Sequence, residues 1–430
     1  MQPGWSDSEQ ARALADGAPQ LIRRAWGTRL GPHEPDTARE VQFQLRPGAG
    51  ASAVYSLRRG TAERFVGLTT EVLDAATDTD LQRLEVPAPA GTHDRPPLRV
   101  ATWWHPHDPR LPGLPHAGVA AAAERLWGGG DRLTRLQTIT YRPLRRAVFR
   151  ADFSTPGPVV ATRSVFLKAM RPDPAEALEL RHRLLAAAGL PVAPVLGPVL
   201  HGVVATAALP GEPLSTALRD DGGAYLDPAA FTALLDRLPQ EVVQLPHRPS
   251  WSERLARYAD AAASTLPGES LAVAALAQRL RELIDARDPG PLVPVHGDFY
   301  EANLLISPQP GAVGGMGNAV VNTVGKTVEI AGLLDLDSVG PGHRVDDLSC
   351  LLGHLAVLPA ISPRYEGIWR TLDAWAGFFS RSVDERALYA RAAAVAVSLI
   401  AGARRPEARN WTGQARARLD AAQRLAERAG

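Results

Sequence analysis

The chain has 430 residues, of which 45% are hydrophobic, and 47 basic and 46 acidic residues give a formal net charge of +1. This length predicts two or three subdomains, and the balanced charge offers no field that attracts nucleic acid or an anionic membrane. The single cysteine, Cys350, excludes an internal disulfide and suggests a reducing compartment. The N-terminus lacks a signal-peptide pattern and the longest apolar run is too short to cross a bilayer, so we expect a cytoplasmic protein.

Residues 1–130 are predicted to form an N-terminal α+β subdomain. A helix is predicted over residues 8–26, followed by three strands between residues 41 and 73. Apolar residues alternate along these strands, and turns that contain glycine and arginine separate them. The segment LRVATWW reads as another strand. A helix over residues 117–127 ends at three successive glycines.

Residues 131–209 are predicted to fold as β-β-β-α-β-β. The three strands lie in RLQTITYRPL, RRAVFRADF and TRSVFLKAM, a helix covers residues 174–188, and VAPVLGPVL and GVVATAAL supply two more strands. Residues 210–430 are predicted to be mainly helical, with one β interruption around residues 293–337. A low-complexity insert, residues 308–327, lies within that interruption.

Two acidic motifs carry most of the functional information. In VHGDFYEANLLI an apolar run ends in Asp298, and Asn303 follows five residues later. In GLLDLDSVGPGHRVDDL another apolar run ends in Asp335 and Asp337. Carboxylate and amide oxygens that follow strands are suited to holding Mg²⁺ and a phosphate. The pattern therefore predicts phosphoryl transfer.

Lysine is scarce in this chain. Only Lys168 and Lys326 occur, against 45 arginines. A lysine retained in such a background indicates a task that suits a compact point charge better than a planar guanidinium. Lys168 ends the third strand of the β-β-β-α-β-β unit, whereas Lys326 lies in the insert and is expected to be solvated.

HGDFYEANLL and LLDLDSVGPGHRVDDL together resemble the aminoglycoside phosphotransferase and choline kinase family of small-molecule kinases, over roughly residues 133–425. The resemblance implies an α+β, protein-kinase-like bilobal fold, with a small β-rich lobe at residues 131–209 and a large helical lobe at residues 210–430. It also implies ATP and Mg²⁺ as cofactors. The first 130 residues are similar in layout to the N-terminal caps of maltokinases.

Carried over by position, the resemblance makes Asp298 the catalytic base. Asn303 and Asp335 become metal ligands. Asp337 is an equal candidate for metal binding or for a supporting role. Two further positions match residues that support the catalytic loop, His296 and Asp347.

The resemblance also assigns the nucleotide side. Lys168 would bind phosphates, paired with Glu179 or, alternatively, with Glu176, which lies on the same helical face. The turn from Tyr141 to Arg146 would cover the phosphates, although it has arginines and proline where protein kinases have glycines. The hinge around residues 203–209 would contact the nucleotide through Ala205 and Ala207.

The predicted function is an ATP- and Mg²⁺-dependent kinase acting on a hydroxyl of a sugar, amino sugar, aminoglycoside or amino alcohol. The acceptor is expected near Glu301 and Trp375. The alternative is a regulatory pseudokinase that binds nucleotide without turnover. A metal-dependent hydrolase is a third reading, which would leave Lys168 without a role. Neither nucleic acid nor a membrane is expected as a partner, and the oligomeric state stays open.

Overall fold

The computed structural model of the chain describes residues 2–30, 37–46, 48–59, 62–73, 81–89, 95–155, 161–219, 221–223, 226–309, 319–321, 327–404 and 410–430. The chain divides into two compact units. The first comprises Met1–Glu179 and Val195–Ala208, and the second comprises Leu180–Pro194 and Leu209–Gly430. The predicted insert falls largely on residues 310–318 and 322–326, so Lys326 lies outside the described residues.

The first unit is built mainly from antiparallel strands. In chain order its elements are α1 (Asp7–Leu30), β1 (Thr37–Arg46), β2 (Gly50–Arg59), β3 (Ala62–Thr69), β4 (Leu81–Val86), β5 (Leu98–Trp104), α2 (Leu114–Ala117), α3 (Ala120–Trp127), β6 (Arg132–Arg142), β7 (Arg146–Ser154), β8 (Thr162–Met170), α4 (Pro172–Ala187) and β9 (Val203–Ala207). Helix α4 begins in the first unit and ends in the second.

Strands β1 to β5 form one antiparallel sheet in the order β1-β2-β3-β5-β4, here called the N-terminal sheet. Helix α1 packs its buried apolar residues, among them Leu14 and Trp26, against this sheet. The helix begins with a capping box, since the Ser6 amide donates to Glu9 and the Glu9 amide donates to the Ser6 hydroxyl. The predicted strands and helix are present, but strand β4 was missed.

Strands β6 to β9 form a second antiparallel sheet in that order. Alternate residues of β8, including Val165 and Leu167, are buried in a core with Phe149 of β7 and Trp127 of α3. Because strand side chains alternate between faces, Lys168 projects from the face opposite Leu167. The local sequence thus determines both that this segment is a strand and from which face of the sheet Lys168 extends.

The prediction of a strand in VAPVLGPVL was wrong. Residues 192–200 make only isolated bridges, at Val192, Val195 and Leu200. Prolines at positions 191, 194 and 198 lack the N–H that a strand ladder needs. The observed order in this region is therefore β-β-β-α-β.

The second unit is mainly helical. In chain order its elements are β10 (Glu212–Pro213), α5 (Leu214–Ala217), α6 (Ala229–Asp236), α7 (Leu255–Thr265), α8 (Ser270–Asp285), β11 (Leu292–Val295), β12 (Leu304–Gln309), β13 (Ala319–Val321), β14 (Thr327–Leu333), β15 (Gly340–His343), α9 (Arg344–Ile361), α10 (Ile368–Phe379), α11 (Glu385–Ile400) and α12 (Trp411–Ala429). Its strands form two sheets, β10-β12-β14-β13 and β11-β15. The two units together confirm the α+β class.

Helices α9 and α11 form the centre of the second unit and are buried on most sides. Within the described part of the chain, one segment, Glu385–Ala403, is long and apolar enough to cross a membrane by length and composition alone. Because 72% of its apolar window is buried inside the protein, it is accounted for as a core helix.

Candidate active site

The loop that carries Asp298 is held by one buried carboxylate. Strand β11 ends at Val295 and leads directly into His296 and Gly297, while its partner β15 leads into α9. This pairing brings Asp347, in the first turn of α9, under the loop, where its two oxygens accept the amides of His296 and Gly297 at 2.8 Å each. Burial raises the pKa of Asp347 to about 7, against the lowering effect of those two amides.

Gly297 is required by the backbone at this loop. Its φ is +76°, and a Cβ there would lie 2.6 Å from the carbonyl oxygen of Ser338. A side chain would therefore meet both a left-handed conformation and a backbone clash. The glycine of the His-Gly-Asp motif lets the loop pass close to the segment that carries Asp335 and Asp337.

His296 is a buried, neutral support for the same loop. Its Nδ1 accepts the Asp298 amide at 3.3 Å, so Nε2 carries the proton and donates to the carbonyl of Leu334 at 3.0 Å. Burial lowers the pKa of this imidazole to about 4. The ring joins the loop of Asp298 to the residue that precedes Asp335, and it is fully buried.

Asn303 closes the loop from its other end. Its side-chain Nδ2 donates to the carbonyl of Asp298 at 2.9 Å, and its own carbonyl accepts the Leu334 amide at 2.8 Å. With Nδ2 directed at that carbonyl, Oδ1 of the planar amide is turned away from it, as a metal-ligating oxygen should be. The structure thus brings together the Asp298 loop and the end of β14.

Asp335 follows β14 in a left-handed conformation, with φ 54° and ψ 60°. Such a conformation costs a non-glycine residue about 1–3 kcal/mol and is found preferentially at functional sites. Asp337 lies one residue into the next short helix and acts electrostatically on Arg181, a buried guanidinium that donates to the Val339 carbonyl at 2.8 Å. Arg181 is thus a positively charged neighbour of Asp337.

The donor set fits Mg²⁺. Mg²⁺ is commonly held by one or two protein oxygens, while phosphates and water complete its octahedron. Asp335 supplies a carboxylate and Asn303 an amide oxygen, and the shared contact through Leu334 keeps the two segments adjacent. Among the residues that the structure describes, no group of three His, Cys, Asp or Glu side chains is placed to hold a metal by itself.

Trp251 contacts the predicted catalytic base, which sequence reasoning did not foresee. Its indole Nε1 donates to Oδ1 of Asp298 at 3.3 Å, and its ring stacks on Tyr258 with centroids 5.3 Å apart. Trp251 lies 47 positions before Asp298, in a segment with no motif of its own. No spacing signal in the sequence could have paired the two.

A buried carboxylate and a buried imidazole lie beside this loop. The ring of His354, on α9, stacks on Tyr300 with centroids 4.0 Å apart. Oε2 of Glu301 lies 3.9 Å from Nδ1 of His354, too far for a hydrogen bond, and both this Oε2 and Nε2 of His354 are buried without a partner. Burial raises the pKa of Glu301 to about 7, with Asp298 adding to the rise, and burial lowers the pKa of His354 to about 3.

The other predicted acceptor residue, Trp375, is buried in the core of the second unit. Trp375 is 2% exposed and packs against Phe231, with ring centroids 4.8 Å apart. This position makes it a core residue. Cys350, on α9 beneath the loop, is also buried, and burial together with the carboxylates of Asp298 and Asp347 raises the pKa of its thiol.

The predicted nucleotide residues of the first unit lie on β8, α4 and β9. Lys168 is paired in register with Val204 of β9. On α4, Glu179 is half-buried and Glu176 is exposed, which favours Glu179 as the partner of a strand lysine. Ala205 and Ala207 lie on β9 opposite Leu167 and Val165, so this predicted hinge segment is the fourth strand of the sheet.

Tyr141 and Arg146 flank the turn between β6 and β7, where Arg142 pairs with Arg146. The Tyr141 hydroxyl donates to Oδ2 of Asp108 at 2.8 Å and accepts from Nε1 of Trp103 at 3.3 Å. The hydroxyl is therefore engaged with residues of the N-terminal region, and the structure gives Tyr141 an anchoring role at the base of the turn.

The sequence model of the Phosphotransferase enzyme family (APH) matches residues 159–378, about half of the chain and all of the motifs described above. The chain therefore belongs to this family and is a phosphotransferase. This membership confirms the family that the two acidic motifs indicated. No curated protein matches the sequence.

Solved structures with a similar fold include three small-molecule phosphotransferases or kinases. A thermostable mutant of aminoglycoside phosphotransferase APH(4)-Ia, in ternary complex with AMP-PNP and hygromycin B, is 15% identical with a TM-score of 0.45, over 73% of this chain and 98% of that chain. A choline/ethanolamine kinase family protein from Mesorhizobium loti is 17% identical with a TM-score of 0.42, over 72% and 92%. Macrolide 2'-phosphotransferase MphH from Brachybacterium faecium is 20% identical with a TM-score of 0.36, over 72% and 97%.

Proposed function

We propose that this phosphotransferase moves the γ-phosphoryl group of ATP, with Mg²⁺, to a hydroxyl of a small amine-bearing molecule such as an amino sugar or amino alcohol. The observation that carries the proposal is the fixed geometry of the Asp298 loop. Asp347, His296 and Asn303 each bind its backbone within hydrogen-bond distance. A base held this rigidly on a buried support is what a positioning-based reaction requires.

Asp298 acts as the base. Its carboxylate orients the acceptor hydroxyl and accepts the hydroxyl proton as the oxygen bonds to phosphorus. The bond between that phosphorus and the bridging oxygen breaks, and ADP leaves with the electron pair. The N–H of Trp251 contacts Oδ1 of Asp298 and limits rotation of the carboxylate. The orientation of the base is therefore set by a side chain outside the motif.

Asn303 and Asp335 are the residues that would hold the metal. When bound, Mg²⁺ neutralises charge on the phosphates during transfer. The left-handed backbone at Asp335 turns the chain directly after β14. Asp337, beside Arg181, would tune this site by charge.

Lys168 would hold the phosphates of the nucleotide by its ammonium group, and Glu179 would fix that ammonium. Ala205 and Ala207, with their small side chains, would allow the adenine ring to approach the backbone of β9. Each of these roles follows from the family resemblance, and the placement of Lys168 on the less buried face of β8 supports the role of the lysine.

The surroundings of Asp298 favour an acceptor with a positive charge. Glu301 has a buried oxygen without a hydrogen-bond partner, 3.9 Å from His354, and the rings of Trp251 and Tyr300 pack in turn against the His354 ring. An ammonium group satisfies a carboxylate and also binds aromatic faces. A neutral sugar would leave the Glu301 oxygen less well satisfied.

The test is ADP release with ATP, Mg²⁺ and a panel of amino alcohols, aminoglycosides and neutral sugars. We expect turnover with an amine-bearing acceptor and a loss of about 10²- to 10⁴-fold in Asp298→Asn. Asp260→Asn, an exposed aspartate on α7, is the matched control and should keep full turnover.

Two results would contradict the proposal. Equal turnover in Asp298→Asn would remove the base from its role. Tight binding of AMP-PNP without turnover on any acceptor would favour the non-catalytic alternative.

A further inference from the structure

The turn between β6 and β7 is anchored by a single buried aspartate from the end of the N-terminal region. Asp108 is 3% exposed and lies just after β5. Its Oδ2 accepts both the Tyr141 hydroxyl and the Leu144 amide at 2.8 Å, and its Oδ1 accepts the Arg110 amide at 3.0 Å. One carboxylate thus binds the base and the tip of the same turn.

The tip of the turn is strained and buried. Leu144 has φ 62°, which leucine rarely adopts, yet it is 1% exposed. Its side chain packs with Leu81, Ala101 and Trp103 of the N-terminal sheet. A left-handed leucine persists only when its surroundings hold it. Here the Asp108 carboxylate holds the amide, and the N-terminal sheet holds the side chain.

The anchor is itself tied to the N-terminal sheet. Arg110 forms an ion pair with Glu71 at 2.7 Å, and Glu71 follows the end of β3 with 7% of its side chain exposed. Trp103 of β5 donates to the Tyr141 hydroxyl. The turn is therefore connected to two strands of the sheet through Asp108, Arg110 and Trp103.

We propose that Asp108 is a positioning residue for nucleotide binding, and that residues 2–108 serve to preset the β6–β7 turn that covers the phosphates. This inference rests on the proposed function, since it assumes that the turn faces ATP. It gives the N-terminal region a role that neither the acidic motifs nor the match over residues 159–378 explains.

The physical reason is preorganisation. A turn of Arg-Pro-Leu-Arg-Arg has no glycine to fit itself to phosphates by changing its backbone. When a ligand must also order a loop as it binds, the conformational entropy that the loop loses reduces the affinity. A loop that is already held in place before the ligand binds avoids that cost. Burial raises the pKa of Asp108, while its three donors oppose the rise. The anchor therefore depends on hydrogen bonds that single substitutions can remove.

The test uses the full chain and compares two ligands by calorimetric titration, AMP-PNP with Mg²⁺ and adenosine. Tyr141→Phe removes one hydrogen bond of the anchor and leaves the ring in place. Asp108→Asn is the second variant, in case the first changes too little. The matched control is Tyr55→Phe, which removes a buried tyrosine hydroxyl of β2 in the N-terminal sheet that donates to the Leu14 carbonyl of α1.

We expect Tyr141→Phe and Asp108→Asn to weaken AMP-PNP binding about tenfold, the size of one hydrogen bond to a charged group. Adenosine affinity should stay within about twofold, because adenosine lacks the phosphates that the turn covers. Tyr55→Phe should bind both ligands as the wild type does. Each variant is first shown to be folded by thermal melting.

Other outcomes overturn the inference. Equal weakening for AMP-PNP and adenosine would mean a general structural defect, and unchanged affinity in both anchor variants would mean that the turn does not depend on Asp108. A wild type that binds no AMP-PNP overturns the proposed nucleotide function itself. If the wild type binds AMP-PNP and both anchor variants bind it with the same affinity, only the role of Asp108 is overturned.

Discussion

Removal of the Asp347 carboxylate should disable the catalytic loop. In Asp347→Ala the amides of His296, which is fully buried, and of Gly297, which is half-buried, lose acceptors at 2.8 Å. A buried N–H left without a partner costs about 1–3 kcal/mol, so the His296 amide alone predicts a loss of about 1–3 kcal/mol in the free energy of unfolding, and the half-buried Gly297 amide adds a smaller amount. That is a large share of the total stability of a typical domain, about 5–15 kcal/mol.

The change should also reach catalysis. Asp298 follows directly on the two amides, and a misplacement of about 1 Å at a reacting group can cost about 10²-fold in rate. Asp347→Asn keeps one acceptor oxygen but places an NH₂ against the other amide, so we expect a smaller loss than in the alanine variant. Urea unfolding measures stability, and ADP release measures the rate.

Asp384→Ala is a control in the same unit. Asp384 caps α11 by accepting the Ala387 amide at 2.7 Å, away from the loop. Loss of an N-cap costs about 1 kcal/mol and should leave the rate unchanged. If Asp347→Ala is as stable and as active as this control, the bracing role of Asp347 is refuted.

Three further results are expected. Gly297→Ala should lower the free energy of unfolding by at least about 1–2 kcal/mol in urea denaturation, because alanine at φ +76° is strained and its Cβ would meet the Ser338 carbonyl; equal stability would contradict this. Burial raises the pKa of Glu301 from 4.5 to about 7, so the wild type should lose stability relative to Glu301→Gln as the pH rises from 4.5 to about 7. The loss should be at most about 3 kcal/mol, and the stability difference should stay constant above that pH. A stability difference that does not depend on pH in thermal melts would contradict the raised pKa. Lys168→Met should weaken AMP-PNP binding at least about tenfold in calorimetric titration, and unchanged affinity would remove the lysine from the phosphate site.

The sequence predicted those parts of the site that are local in the chain. The Asp298–Asn303 spacing follows from one turn between β11 and β12, and the resemblance to known kinases supplied Asp347 as its support. The strands of the first unit were predictable for the same reason, because alternation of apolar residues is a local property. The wrong strand at residues 192–200 arose because apolar residues there suggested a strand although three prolines remove its donors.

Contacts between distant segments could not be predicted. Trp251 reaches Asp298 across 47 positions, and Asp108 reaches Leu144 across 36. Each contact depends on how elements pack, and neither segment carries a motif. Strand β4 was missed because its apolar residues, Leu81, Leu84 and Val86, do not alternate regularly along its six residues.

The buried position of Cys350 has a practical consequence. As the single thiol of the chain, it is shielded within α9 and held protonated, so maleimide reagents should leave the folded protein unmodified. One engineered surface cysteine would then take a fluorophore at a unique site. The native sequence thus provides a ready background for spectroscopic labelling, without a prior substitution beneath the catalytic loop.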